Sequence, residues 1–303
     1  MTNQSVATIG FFDGVHRGHR YLIDTVIDTA LRKGMQSMVI TFDAHPRLVL
    51  HKEYRPRLLT TADEKRLRLE DTGIDRCVML HFDEQMASLS AYDFMKDVLR
   101  GRLNVSVLIT GYDNRFGHNR AEGFDDYVRY GRELGIDVVK ADSFRLNGVQ
   151  VSSSVIRSFL SAGETDMAAM CLGYRYRLAG KVVSGYREGR RLGFPTANIR
   201  PSDPLKLVPE GGVYAVRVRP GGADKWLDGM MNIGTRPTFE GTETTLEANI
   251  FNFSDDIYGQ DIEVAFYRRL RGEHKFASAA RLTEQLRHDR DEAEAELSKA
   301  GNP

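Results

Sequence analysis

Apolar and polar positions in the first half of the chain follow a pattern that predicts strands separated by helices. Between the strand-like segments, apolar residues recur at the spacing of one helix face. The alternation predicts an α/β domain with a doubly wound, mostly parallel sheet, whose ligands bind at the carboxyl ends of the strands. Five short apolar runs predict its strands, over residues 5–12, 36–42, 76–82, 105–111 and 136–141.

One of the intervening helices has a clear start signal. Thr61 and Glu64 have the spacing of a capping box, which marks a helix N-terminus. The residues that follow predict a helix with Leu67 and Leu69 toward the core and Lys65 toward solvent.

The second half of the chain has a different rhythm, in which strand-like segments are separated by Gly, Pro and Asp. Evenly spaced short strands of this kind predict a small antiparallel barrel. A final amphipathic helix is expected over residues 278–297, and short helices over residues 153–173 join the halves. We therefore expect two domains, residues 1–172 and 173–303. The predicted strands of the second half cover residues 178–184, 213–219, 226–233, 245–251 and 262–266.

Composition limits the function classes. The chain has 303 residues, which suits two domains, and its 42 Lys and Arg balance its 42 Asp and Glu. This balance gives no overall field that would attract nucleic acid or an acidic membrane surface. The sequence shows no secretory leader or apolar span, and two isolated cysteines, Cys77 and Cys171, suit a reducing compartment. We expect a cytoplasmic protein with small-molecule partners, which is a monomer or a weak homo-oligomer.

The most informative chemistry lies at residues 10–19, where the first strand gives way to a helix. Gly14 and Gly18 allow the backbone to approach a ligand closely, and His16 and His19 are three residues apart, so they share one helix face. A helix N-terminus binds anions through its free N–H groups and its dipole. The chain contains no P-loop sequence, so the pattern favours a nucleotidylyltransferase of the H-x-G-H type acting on a nucleoside triphosphate.

Six motifs occur in the same order as in prokaryotic bifunctional riboflavin kinase/FAD synthetases, which the chain resembles over essentially its whole length. The resemblance implies a Rossmann-like nucleotidylyltransferase domain followed by a six-stranded antiparallel β-barrel of the riboflavin kinase type with a terminal helix. It also implies that ATP and riboflavin give FMN, that FMN and a second ATP give FAD and pyrophosphate, and that Mg²⁺ serves both steps. The motifs are GFFDGVHRGH (10–19), TFDAHP (41–46), GYDNRFG (111–117), VSSSVIR (151–157), GFPTAN (193–198) and LEANIFNF (246–253).

For the N-terminal half, the resemblance implies an ATP site in which His16 and His19 stabilise charge on the triphosphate. The implied ATP-binding residues are Phe12, Gly14, His16, Gly18, His19, Ser153, Ser154 and Arg157. Hydroxyl and guanidinium groups such as those of Ser153, Ser154 and Arg157 suit phosphate oxygens.

Two further residues of this half, His45 and Asp113, are implied to contact the flavin or the nucleotide. The sequence departs from the family pattern beside both of them. Asn114 replaces the usual phenylalanine, and Ala44 replaces the first proline of the T-F-x-P-H-P segment.

For the C-terminal half, the resemblance implies a kinase site with Glu247 as general base. Riboflavin's primary hydroxyl needs a proton acceptor as it attacks the γ-phosphate of ATP. Thr196 and Asn198 carry hard oxygen ligands suited to Mg²⁺. The implied ATP-binding residues are Gly185, Gly189, Arg190, Thr196 and Asn198, and the implied flavin-binding residue is Arg271.

Three hypotheses follow from the sequence. The leading one is a bifunctional enzyme that makes FMN in the C-terminal half and FAD in the N-terminal half. The second keeps the kinase but makes the N-terminal half impaired, or specific for another nucleotidyl transfer, because of Asn114 and Ala44. The third is a flavin-binding protein without turnover.

Overall fold

The computed structural model describes residues 4–50, 53, 55–112, 114–185, 188–238 and 241–301. The chain divides into two compact units, Met1–Ser153 and Ser154–Pro303. The domain boundary expected between residues 172 and 173 remains a prediction.

The first unit contains a five-stranded parallel sheet in the order β3-β2-β1-β4-β5. This order places β1 at the centre with crossover connections on both sides, which confirms the doubly wound fold. The five predicted strands are present, although most are shorter at their ends than the sequence pattern predicted. Their bounds are Ser5–Ile9 (β1), Gln36–Phe42 (β2), Arg76–Leu80 (β3), Val105–Thr110 (β4) and Asp137–Lys140 (β5).

Helices cover both faces of this sheet, and β1 is buried along its whole length because it has a helical layer on each side. The α-helices are Arg17–Lys33 (α1), Pro46–Leu50 (α2), Ala62–Glu70 (α3), Glu84–Ser88 (α4), Ala91–Asp93 (α5) and Phe124–Leu134 (α6). A π-helical segment, Phe94–Arg102, continues α5, and a 3₁₀ turn covers His118–Arg120. A short hairpin follows, formed by Arg145–Leu146 (β6) and Val149–Gln150 (β7).

Helix α3 confirms its predicted start and corrects its predicted face. Thr61 and Glu64 form both hydrogen bonds of the capping box. However, Lys65 is only 1% exposed, whereas Leu67 is 55% exposed. The prediction was wrong because residues two apart point to different sides of a helix, so Leu67 cannot share a face with Leu69. Lys65 is four residues from Leu69, and these two side chains share the buried face.

The second unit begins with two helices and continues into a closed six-stranded barrel in the order β10-β11-β12-β9-β8-β13. Every strand pair in the barrel is antiparallel. The helices are Ser153–Ala162 (α7), Thr165–Leu172 (α8), Glu188–Arg191 (α9) and Ala279–Ser298 (α10). The strands are Arg177–Val183 (β8), Ala197–Pro201 (β9), Gly212–Pro220 (β10), Leu227–Thr238 (β11), Gly241–Ile250 (β12) and Asp261–Arg271 (β13).

The barrel confirms the five segments that the sequence pattern predicted as strands. The sixth, β9, was implied only by the family resemblance, because Ala197–Pro201 is short and ends at a proline. Its pairing with β12 brings Asn198 opposite Glu247. The strand that periodicity missed therefore carries one of the predicted site residues.

The terminal helix α10 packs on the barrel through Ala293 and Leu297, which are fully buried. Arg217 on β10 donates hydrogen bonds to the carbonyls of Leu297 (3.0 Å), Ala300 (3.3 Å) and Gly301 (2.7 Å). Leu297 lies in the last turn of α10, and Ala300 and Gly301 follow the end of the helix. One arginine therefore fixes the C-terminal end of α10 to the barrel.

The described residues include no helix that is both long enough and apolar enough to cross a bilayer. No disulfide joins Cys77 and Cys171.

Candidate functional site

The connection between β1 and α1, residues 10–16, is a tightly folded segment that we call the phosphate loop. Phe12, Gly14 and Val15 have φ values of 54°, 83° and 37°, in the left-handed region. The Val15 N–H donates to the Phe12 carbonyl at 3.1 Å, which closes a turn. Left-handed conformations at Phe12 and Val15 are strained, and such strain persists where the surrounding structure enforces it, often at functional sites.

Asp13 is the residue that holds the phosphate loop in this shape. Its carboxylate, which is 5% exposed, accepts hydrogen bonds from the N–H groups of Leu59 (2.9 Å) and Thr60 (3.1 Å). The Thr60 hydroxyl in turn accepts from the Gly14 N–H at 3.0 Å, and the Ser153 hydroxyl donates to the Asp13 carbonyl at 2.9 Å. Neither Asp13 nor Thr60 was among the predicted site residues, although Asp13 lies within the predicted motif.

The two histidines of the motif form one unit at the start of α1. His16 caps the helix, and its Nδ1 accepts a hydrogen bond from the His19 N–H at 3.2 Å. The imidazole rings are stacked, with 3.6 Å between centroids and 16° between planes. His16 is 4% exposed, so this pair is built into the fold and is not a surface feature.

The His19 imidazole is electrically neutral in this site. Burial lowers its pKa well below the ordinary value, and the neighbouring His16 and Lys65 lower it further. The Nδ1 atom of His19 is buried, and no described residue is within hydrogen-bond distance of it. A buried polar atom without a partner is uncommon in a folded protein and indicates a place where a ligand or water binds.

Gly18 allows the two histidines to come together. A Cβ atom at this position would lie 3.2 Å from the His16 ring and 3.1 Å from the Val151 carbonyl oxygen. These distances are tighter than ordinary contacts, so a larger residue would push the first turn of α1 away from His16. The predicted need for glycine at position 18 follows from this close approach.

The other predicted residues of the first half lie in three places. His45, at the carboxyl end of β2, contacts the edge of the Phe11 ring at 4.7 Å, and its Nδ1 accepts from the Arg47 N–H. Ser154 and Arg157 lie on α7, where the Arg157 guanidinium donates to the Ser154 hydroxyl at 3.4 Å. Asp113 lies outside the described residues.

Asn114, which replaces the family's usual phenylalanine, has a defined contact in this chain. Its side-chain amide donates a hydrogen bond to the Ile9 carbonyl, at the carboxyl end of β1. The Asn114 N–H also donates to the Gly111 carbonyl at 3.2 Å. The loop after β4 is therefore attached to the strand that leads into the phosphate loop, through a polar contact in place of an aromatic side chain.

Three predicted residues of the second unit lie close together, and we call them the barrel site. Asn198 is on β9, Glu247 is on the adjacent strand β12, and Thr196 lies just before β9. In the barrel register, Glu247 on β12 lies opposite Asn198 on β9 and Asn232 on β11. The Thr196 hydroxyl donates to the Glu247 carboxylate at 3.4 Å. The site thus brings a hydroxyl, an amide and a carboxylate into one polar group.

Two glycines let the preceding loop lie directly against the barrel site. A Cβ atom at Gly185 would lie 2.0 Å from the Asn198 amide nitrogen. One at Gly189 would lie 2.3 Å from the Phe194 carbonyl oxygen and 3.3 Å from the Thr196 hydroxyl. A side chain at Gly189 would therefore collide with backbone, and one at Gly185 would force the Asn198 side chain to move. The structure describes the backbone of Arg190 in α9 but not its side chain.

A cavity of about 330 Å³ opens beside Thr196. Its size and its apolar residues suit a planar ring system, and Asp255 and Asp256 supply polar groups. The loop that forms one wall was not predicted as part of the site, although it carries three apolar or aromatic residues, Phe253, Ile257 and Tyr258. The lining residues are Val182, Pro195, Thr196, Ala197, Ala248, Ile250 and residues 253–258.

Arg271, predicted as a flavin contact, forms an ion pair with Asp289 of α10. Its guanidinium makes three hydrogen bonds of 2.7 to 3.1 Å to this carboxylate. Asp289 is 1% exposed and also accepts from the Gln285 amide at 2.9 Å. The ion pair joins the end of β13 to the terminal helix.

Two family models match this chain, one in each half. The FAD synthetase model matches residues 1–155, which include the phosphate loop. The riboflavin kinase model matches residues 172–297, which include the barrel site.

Curated relatives match both halves together. The bifunctional riboflavin kinase/FMN adenylyltransferase of Escherichia coli K12 is 37% identical over 286 residues, which are 94% of this chain and 90% of the relative. The protein of the same name from Bacillus subtilis is 34% identical over 297 residues, with 96% and 92% covered. A crystal structure described as a macrolide-efflux protein from Streptococcus pneumoniae superposes with a TM-score of 0.86 at 29% identity, with 96% and 94% covered.

Proposed function

This chain belongs to the bifunctional riboflavin kinase/FMN adenylyltransferase family, and on that premise we propose how its own residues serve the two reactions. The chain phosphorylates riboflavin with ATP to give FMN, and it transfers the adenylyl group of a second ATP to FMN to give FAD and pyrophosphate. The first reaction belongs to the barrel unit and the second to the α/β unit.

In adenylyl transfer, the phosphate loop and the start of α1 hold the triphosphate. An oxygen of the FMN phosphate attacks the α-phosphorus of ATP, and the bond to pyrophosphate breaks. The protein must position two anions and neutralise the growing charge on the leaving group, which N–H groups and imidazoles can do without a covalent intermediate. The observation that carries this proposal is the stacked His16–His19 pair, with its buried, unpartnered Nδ1, at a helix N-terminus.

Further residues complete this site in the proposal. Phe12, Gly14 and Gly18 shape the loop so that backbone N–H groups reach the triphosphate. Ser153, Ser154 and Arg157 contribute hydroxyl and guanidinium donors to phosphate oxygens. His45, beside Phe11, and Asp113 contact the flavin or the nucleotide.

In the kinase reaction, Glu247 acts as the general base. The riboflavin primary hydroxyl attacks the γ-phosphorus of ATP, its proton passes to the Glu247 carboxylate, and ADP leaves. The observation that supports this role is the hydrogen bond between Thr196 and Glu247 beside Asn198, which joins the carboxylate to the two side chains proposed to bind Mg²⁺ and ATP.

The nucleotide of the kinase reaction fits the loop and cavity around the barrel site. The backbone at Gly185, Gly189 and Arg190 covers the triphosphate, since a side chain at Gly189 would collide with backbone and one at Gly185 would displace the Asn198 amide. The cavity beside Thr196 takes the planar base. Arg271 contributes to the flavin pocket by fixing the end of β13 through Asp289, which makes it a positioning residue.

The donor set of the barrel site fits Mg²⁺. Thr196 and Asn198 offer a hydroxyl and an amide oxygen, both hard ligands, and both lie beside the Glu247 carboxylate. These two residues would hold the ion, which supplies charge neutralisation for the phosphates when bound.

A product time course tests the proposal. Purified protein incubated with riboflavin, ATP and Mg²⁺ is expected to form FMN first and FAD second. Supplying FMN and ATP directly is expected to give FAD and pyrophosphate in equal amounts. Absence of FAD in this second experiment would favour a different nucleotidyl transfer in the first unit, the alternative suggested by Asn114 and Ala44.

We propose that the protein acts in the cytoplasm as a monomer or weak homo-oligomer. Two thiols without a disulfide between them suit a reducing compartment. Each proposed site is assembled from residues of one chain. Light scattering at micromolar concentration is expected to give the 34.2 kDa mass of one chain, with limited association at higher concentration.

A further inference from the structure

Lys65 on α3 lies beside the phosphate loop, and the two groups that its ammonium contacts directly are uncharged. The residue is 1% exposed, and its ammonium donates a hydrogen bond to the Phe42 carbonyl at 2.6 Å. The ammonium also lies 3.8 Å from the centroid of the Phe11 ring, over its face. A carbonyl and an aromatic face both favour a cation, but they carry no compensating charge.

These two contacts connect Lys65 to two segments at the carboxyl edge of the sheet, the phosphate loop and the segment after β2. Phe42 is the last residue of β2 and precedes the segment that contains His45. Phe11 begins the phosphate loop after Gly10, and its ring touches His45 at 4.7 Å. Lys65 therefore joins the phosphate loop to the segment after β2 at the carboxyl edge of the sheet.

The groups that face this ammonium come from several elements. Asp13 of the phosphate loop, Asp43 after β2 and Cys77 of β3 act to raise the lysine pKa, but burial has the larger effect and lowers the pKa to about 8. Lys65 therefore remains mostly protonated at neutral pH. Its charge extends to the histidine pair, since it contributes to the lowered pKa of His19.

This charge does not serve stability. A lysine whose pKa is lower in the folded state than in the unfolded state destabilises the folded protein at pH values below its folded pKa, and the effect is relieved as the pH rises above it. A buried ammonium at neutral pH thus opposes folding. An apolar residue of similar length would satisfy the core at this position better.

We propose that Lys65 is a positioning residue for adenylyl transfer, which fixes the phosphate loop against the segment after β2 and supplies a buried positive charge behind the ATP triphosphate. The inference rests on the proposed role of the His16–His19 pair in holding that triphosphate. Lys65 contacts Phe42 and Phe11 directly. Its proposed effect on ATP is therefore indirect, through the position of the phosphate loop and through the electrostatic field of its ammonium.

The test compares Lys65→Met with Arg66→Met in the full-length protein. Both variants remove one positive charge from α3, but Arg66 is exposed and pairs with Glu70. Lys65→Met is expected to raise the KM for ATP in FAD formation about tenfold, because a charge in a water-poor site contributes on this scale. Arg66→Met is expected to stay within about twofold of the parent, and riboflavin phosphorylation by both variants is expected to do the same.

The pH profile provides a second readout. In the parent protein, the KM for ATP in FAD formation is expected to rise between pH 7 and pH 9, as Lys65 loses its proton around its pKa of about 8. Lys65→Met is expected to lack this rise.

A purely structural role would give a different pattern. Loss of folded protein lowers the apparent kcat, leaves the KM for ATP unchanged and lowers the unfolding temperature. That pattern in Lys65→Met, or a parent-like KM with the same pH profile, would overturn the inference. A failure of the proposed role of the His16–His19 pair can be distinguished from a failure of this inference. It would appear as undiminished FAD formation by His19→Ala.

Discussion

The phosphate loop and the barrel site are both proposed to bind ATP, but they are built differently. The phosphate loop holds two non-glycine residues in left-handed conformations, and buried hydrogen bonds to the Asp13 carboxylate fix it. The barrel site consists of side chains on the paired strands β9 and β12 and on the segment before β9, with two glycines in the loop beside them. The first site is shaped by its backbone and the second by its side chains.

The chemistry of the two reactions explains this difference. The attacking group in adenylyl transfer is a phosphate oxygen that is already anionic, so the site needs donors and charge in fixed positions. The attacking group in the kinase reaction is a neutral alcohol, so the site needs a carboxylate as proton acceptor. The stacked imidazoles of His16 and His19 suit the first task, and Glu247 suits the second.

Among substitutions that separate the two sites, Glu247→Gln is expected to have the largest effect on a reaction rate. The amide keeps the shape of the side chain but cannot accept the hydroxyl proton, so riboflavin phosphorylation should fall by about 10²–10⁴-fold. Conversion of supplied FMN to FAD should remain at the parent rate. Equal loss of both activities in a folded variant would contradict the assignment of Glu247 to one reaction.

His19→Ala is expected to give the reverse pattern. Loss of one preorganised donor to the triphosphate should lower FAD formation by about 10²–10³-fold, while FMN formation continues. The matched control is His288→Ala, since the side chain of His288 is 72% exposed and lies on the terminal helix. Rates of both steps would be measured by separating the flavins chromatographically. Parent-like FAD formation by His19→Ala would remove the histidine pair from the mechanism.

Gly185→Ala tests whether close approach of the loop matters at the barrel site. The new Cβ would collide with the Asn198 amide, and a displacement on the order of 1 Å can lower a rate about 10²-fold. The kinase step should fall while adenylyl transfer persists. Gly301→Ala, where a Cβ would meet open space, is the control. A parent-like kinase rate in Gly185→Ala would show that the loop tolerates movement.

The smallest effect on the reactions is expected from Arg271→Met. Asp289 would lose its ion-pair partner and keep the Gln285 amide while remaining buried, which should reduce the free energy of unfolding of the barrel unit by about 1–3 kcal/mol. Urea denaturation would measure this loss. Because Arg271 acts through α10, the KM for riboflavin should change little below the unfolding transition. A large increase in that KM without loss of stability would instead make Arg271 a direct flavin contact.

The sequence was most informative where local patterns determine local structure. The parallel sheet, the barrel and the capping box at Thr61 were predicted from such patterns, whereas a common site of Thr196, Asn198 and Glu247 was implied only by the family resemblance. The burial of Lys65 was not predicted, because the side of a helix that faces the core depends on the sheet on which it packs. The roles of Asp13 and Thr60 in fixing the phosphate loop also escaped prediction, since their hydrogen bonds join residues 46 or 47 positions apart.

The wall formed by residues 253–258 could not be predicted for a related reason. Its residues contribute to a cavity only because the closed barrel brings the loop after β12 beside Pro195 and Thr196. The spacing of residues along the sequence does not predict contacts of this kind. The available signal was the presence of Phe253, Ile257 and Tyr258 beside three polar residues in this loop.

A single time course with riboflavin, ATP and Mg²⁺ tests the central claim, that the two reactions use separate residues of one chain. Glu247→Gln alone should leave riboflavin unconverted, and His19→Ala alone should accumulate FMN with little FAD. An equimolar mixture of the two variants should form FAD, because FMN made by the second variant is a substrate for the first. FMN formation by Glu247→Gln at the parent rate, or FAD formation by His19→Ala at the parent rate, would contradict the claim.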